Sequence, residues 1–153
     1  MRARASRPAP ARGEQRGVVL LEALIGILIF SLGILALVAM QSLSISNVSN
    51  ARYRMEAAFL ANEILSSAWV DRGVNGANLP NYQYPGGNAA ALVTWVDKVN
   101  ALMPQAGAYP PSVQVAPIPG VASGRQLTVT VRWRAPDALA PSNHMAVGYI
   151  SDP

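Results

Sequence analysis

Two hydrophobic rhythms divide the chain. From Val18 to Met40 almost every position is apolar, and Glu22 is the one charged residue among these 23. Read as a helix, that run spans roughly 35 Å, enough to cross a bilayer core. From Gln41 no proline or glycine intervenes until Gly73, so the helix is predicted to continue to about Arg72. Between Arg54 and Trp69 the pattern becomes amphipathic. Ala57/Ala58, Ala61, Ile64/Leu65 and Ala68/Trp69 recur at helical spacing with Leu60 beside them, while Glu56, Asn62, Glu63 and Ser66 fall largely between. The connecting stretch Ser42–Asn50 is polar and a poor helix former, so the rod is expected to weaken there. One helix from Val18 to Arg72 would be roughly 80 Å long, of more use to a filament subunit than to a small globular protein.

The second half changes period. Gly73 to Gly87 is rich in Gly, Asn and Pro and reads as a loop carrying Tyr82 and Tyr84, tyrosines expected to pack on their own domain. Asn88 is predicted to cap a short helix that runs to Met103 and stops at Pro104. Its apolar face is Leu92, Trp95/Val96, Val99 and Leu102/Met103, with Asp97, Lys98 and Asn100 facing out. Pro104 to Gly120 holds five prolines and reads as extended loop, with a strand at Val113–Val115. Gln126 to Arg134 alternates strictly: Leu127, Val129, Val131 and Trp133 against Thr128, Thr130, Arg132 and Arg134. That is a strand with one buried face, and Met145–Ile150 is predicted to return as a last strand. The fold class is therefore α+β: a long N-terminal helix, its first half membrane-spanning, packed on a small antiparallel sheet. The segments are 1–17, 18–40, 41–72 and 73–153.

Charge sharpens this picture. The net charge of +4 suggests an anionic partner until its position is considered. Residues 1–17 carry Arg2, Arg4, Arg7, Arg12 and Arg16 against Glu14, which accounts for all of it. The remaining residues hold seven basic and seven acidic groups and are formally neutral. No nucleic-acid partner is expected, and the basic leader instead places the N-terminus in the cytosol by the positive-inside rule. An ordinary secretory signal has a 7–15-residue apolar core and a small-residue cleavage site. The run here is longer and contains Glu22. Cysteine is absent, so disulfides and thiolate metal sites are excluded.

Gly17, an apolar residue after it, Glu22 at the fifth position and about twenty further apolar residues resemble the class III signal of type IV prepilins. The chain departs from many pilins in having Val18 where Phe or Met is common, and Ala39 where major pilins usually carry proline. The resemblance implies cleavage by a prepilin peptidase between Gly17 and Val18 and N-methylation of Val18. It also implies an assembly role for Glu22, which would pair with the terminal amine of a neighbouring subunit. The later stretches Leu32–Gln41, Phe59–Leu65, Trp95–Pro104 and Leu127–Arg134 are similar to the minor pilin family called PilV. This likeness implies a pilin-like fold and a structural subunit that initiates or modifies the pilus. Such a subunit would sit in the inner membrane with its head in the periplasm, join the pilus at the cell surface, and have other major and minor pilins as partners through the N-terminal helix. A type II secretion minor pseudopilin, a pilus-tip binding module and a plain signal-anchored protein are the competing readings.

Catalytic chemistry finds little material. His144 is the one histidine, and it lies in a Pro/Ser/Asn-rich stretch near the C-terminus. There is no His/Cys cluster, no Gly-rich phosphate loop and no closely spaced acidic pair, so no catalytic residue, metal site or cofactor is predicted. Gly26 and Gly33, seven apart, share a helical face and mildly favour packing against another helix.

Overall fold

The computed structural model describes residues 16–136 and 138–151. Most of the leader predicted at 1–17 therefore lies outside the described residues. Two units divide between Ser44 and Ile45. The first is a run of apolar helix. The second contains every buried apolar residue described, from Ala57 to Ile150.

Helix α1, Arg16–Val70, is continuous through Ser42–Asn50, where the sequence predicted weakening. Polar residues there cost a few tenths of a kcal/mol each in propensity, but nucleation is the expensive step and this segment has helix on both sides. Ser46, Ser49 and Asn50 are half-buried, and with Ala135, Pro136 and Ala138 they line a small cavity of about 70 Å³. The polar segment thus packs against a loop of the head. At its other end α1 stops at Val70, two residues earlier than predicted, and Gly73 takes a left-handed φ of 68° that glycine adopts at little steric cost.

The predicted loop after it contains two short 3-10 turns, Val74–Gly76 and Leu79–Tyr82. Leu79 and Tyr82 from this loop are fully buried. Helix α2, Ala90–Leu102, follows. Asn88 does not cap it. Ala89 occupies the N-cap position with no side-chain hydrogen bond, and its carbonyl accepts from the Leu92 and Val93 amides.

Strands β1 (Ser112–Pro117), β2 (Arg125–Trp133) and β3 (Ser142–Ile150) form an antiparallel sheet in the order β1-β2-β3. Val129 at the centre of β2 pairs with Val113 on one side and Ala146 on the other. The alternation in β2 is realised, with Leu127, Val129, Val131 and Trp133 all at most 1% exposed. They join Ala57, Leu60, Ala61, Ile64 and Leu65 of α1 and Leu92, Trp95 and Val99 of α2 in one core. Gly148 in β3 lies directly against α1: a Cβ there would come within 2.9 Å of Leu65 Cδ2. The fold is thus α+β, a long N-terminal apolar helix whose later turns pack on a three-stranded antiparallel sheet.

Candidate functional site: the head of the apolar helix

The described part of helix α1 runs from Arg16, so both residues of the Gly17–Val18 step are helical. A Cβ built on Gly17 meets nothing within 4 Å, and Val18 is 69% exposed. The bond is sterically open. Val18 and Glu22 are four residues apart and share one helix face.

Every residue from Gly17 to Ser44 is exposed, and the most apolar 18-residue window of α1 has none of its residues buried. By length and composition the helix Gly17–Val70 could cross a membrane. A sleeve of Val, Leu, Ile and Phe is unfavourable in water at about 25 cal/mol per Å² and favourable in hydrocarbon or against other helices. The polar groups within the sleeve are few. The Ser31 hydroxyl donates to the Ile27 carbonyl at 2.7 Å, which satisfies it within its own helix. Glu22 pairs with no other described residue. Gly26 and Gly33 have open space where a Cβ would stand, so the helix presents bare backbone at two points on that face.

The head adds polar contacts that the sequence did not pair. Lys98, expected to face out, donates to both carboxylate oxygens of Glu63 at 2.8 and 2.9 Å and lies 5.2 Å from the centroid of Phe59. These three residues tie α2 to α1 beside a cleft of about 330 Å³ whose floor includes Ile64, Ala91 and Trp95. Tyr82 Oη approaches Asp71 Oδ2 at 3.2 Å and the Ser67 carbonyl at 3.3 Å. Burial, then the Asp71 charge and hydrogen bond, push this phenol up to about 12. Both contacts join residues far apart in sequence, which no periodicity could have matched.

His144 lies within strand β3 opposite Val131, in a strand that starts at Ser142, three residues before the predicted Met145. Among the described residues no group of three His, Cys, Asp or Glu side chains could hold a metal ion. Arg132 donates to the Pro110 carbonyl at 3.1 Å and Arg134 to the Ala138 carbonyl at 2.9 Å, so each guanidinium braces a loop of the head. No protein-family model matches the chain, and neither a curated protein nor a solved structure matches it.

Proposed function

We propose that the protein is a minor type IV pilin of the PilV kind, a non-catalytic subunit that helps initiate or modify a pilus after leader cleavage. The observation that supports this reading best is the Gly17–Val18 step in the exposed apolar stretch of α1, with Glu22 one turn beyond Val18. Before cleavage, the arginine-rich segment stays on the cytosolic face of the inner membrane and α1 anchors the chain with its head in the periplasm.

A prepilin peptidase hydrolyses the Gly17–Val18 bond, and a sulfonium methyl donor then methylates the new amine of Val18. The methylated amine keeps its positive charge. Glu22 of one subunit pairs with the Val18 amine of a neighbour. In a low-dielectric surrounding each charge is costly alone, so the pair guides register as well as attraction. The apolar helices bundle with those of other pilins, and the α+β head faces outward.

The N-terminal mass of the chain, expressed with and without a prepilin peptidase, tests the reading. A mature chain that starts at Val18 and is heavier by one methyl group supports it. A chain left uncut with an active peptidase present overturns it.

A further inference from the structure

The two edges of the sheet are unlike. The outer edge of β1 is already used: the Tyr84 amide donates to the Val113 carbonyl at 2.8 Å and the Val113 amide donates back to Tyr84 at 3.1 Å. Pro111 precedes this six-residue strand and Pro117 ends it. The outer edge of β3 has no such cover among the described residues. Its nine residues, Ser142–Ile150, include no proline and no Lys, Arg, Asp or Glu. Monomeric sheet proteins protect an edge with these devices, because an open row of N–H and C=O groups pairs with any passing strand.

The side chains along β3 match that opening. On its outer face Met145, Val147 and Tyr149 are 59%, 44% and 61% exposed and form a continuous apolar row. On its inner face His144, Ala146 and Gly148 are half-buried, although the β2 residues paired with them are fully buried. The core is therefore less completely covered along His144–Gly148 than under β2, and it closes at the fully buried Ile150. The nearest guanidinium on the outer face, Arg132, donates to Pro110 and Ser112 on the side of β1 and leaves the β3 side uncharged.

We infer that β3 is a docking edge for an extended, uncharged segment of a different protein chain, which adds a fourth strand beside it. Its amides and carbonyls bond β3, and its alternate apolar side chains cover Met145, Val147 and Tyr149. An extended backbone is required because the edge offers a ladder of N–H and C=O groups. A neutral one is required because β3 supplies no charge to meet a partner's.

A second copy is the less favourable occupant. Within the head α1 runs alongside β3, with Ser49 and Asn50 beside Ala135 and Ala138 and with Leu65 against Gly148. Antiparallel β3–β3 pairing about a two-fold axis therefore reverses this part of α1 between the copies. Chains anchored N-terminal to Ile45 in one membrane enter from the same side. The choice of a foreign chain rests on the proposed membrane anchoring, whereas the docking edge itself does not.

The probe is a labelled, end-capped peptide of the sequence Ser142–Ile150, which has the required neutral alternation and, being free, no constraint on direction. The full chain in detergent should bind it saturably. Val147→Lys should weaken binding at least tenfold, and Gln114→Lys on the exposed face of β1 should leave it unchanged. A peptide N-methylated at alternate amides should not bind the unaltered chain, a result independent of whether the lysine variant folds. Absence of saturable binding, equal loss in both lysine variants, or undiminished binding of the N-methylated peptide overturns the docking edge. Sedimentation of the full chain as a dimer that Val147→Lys dissociates would show a second copy on β3 and overturn the foreign strand. Failure of leader cleavage would leave the peptide result unaffected, so the two ideas fail separately.

Discussion

The indole Nε1 of Trp95 donates to the backbone carbonyl of Leu60 at 2.7 Å, across a sequence separation of 35 residues. Trp95 is 3% exposed and Leu60 is fully buried, so this contact fixes α2 on α1 at the centre of the core. A buried tryptophan whose N–H finds no acceptor would be costly, and a helix carbonyl has a second lone pair to offer.

Trp95→Phe should therefore destabilise the Ile45–Pro153 unit by about 1–3 kcal/mol, from the lost hydrogen bond and the smaller ring. Trp95→Ala should cost about 3–5 kcal/mol. Urea unfolding of that unit, with tryptophan fluorescence from the other indoles, measures both. A loss below about 0.5 kcal/mol for the phenylalanine variant would mean that the contact contributes nothing.

Gly87 is held in the turn before α2, where its amide donates to the Gln83 carbonyl at 2.6 Å. A Cβ at this position would overlap the carbonyl oxygens of Asn81 and Gln83. Those atoms are backbone and cannot rotate away. Gly87→Ala should lower the melting temperature by several degrees, whereas Gly107→Ala, where nothing stands within 4 Å, should not.

Tyr82 carries the pH dependence. Its hydroxyl titrates near its ordinary value of 10 in the unfolded chain and at about 12 in the folded one. Between those values the native state holds the proton more tightly, so stability falls as pH rises. The contribution is whole below pH 10 and is lost as pH climbs through about 12. Tyr82→Phe should flatten the alkaline limb of a stability–pH profile measured from pH 9 to 12, and an unchanged slope would refute the linkage.

Glu22→Ala removes a carboxylate that pairs with no other described residue and lies in the exposed apolar run. Membrane insertion should survive, since the change makes the span more apolar. Incorporation into filaments should fall. Quantifying the protein in membrane and sheared-pilus fractions separates the two effects, and undiminished recovery in pili would count against the pairing with the Val18 amine.

Period and punctuation carried most of the secondary structure. The strand at Leu127–Trp133 and the stripe from Ala57 to Ala68 were legible because a buried face imposes a repeat of two or 3.6 on the sequence. Asn88 misled because an N-cap preference is a local tendency. Here the turn that places Gly87 against Asn81 also sets where α2 begins, and the Ala89 amide is used on the Asn81 carbonyl. The polar stretch Ser42–Asn50 misled in the other direction, because propensity weighs little once helix lies on both sides.

Sequence alone determined the apolar run, the lone Glu22 within it, the glycine before Val18 and the order of helices and strands. Each is a property of neighbours along the chain, read through local charge and periodicity. Tertiary structure decided which distant groups meet. Glu63 and Lys98, both assigned to solvent by their positions in separate helices, face each other because packing Trp95 against Leu60 brings those helix faces together. Tyr82, expected to pack on its own domain, does so, and its partners Ser67 and Asp71 are decided by that loop folding under the end of α1. The difference between a closed β1 edge and an open β3 edge arises in the same way. It depends on Tyr84 crossing to Val113, a pairing set by three-dimensional register that no local pattern encodes.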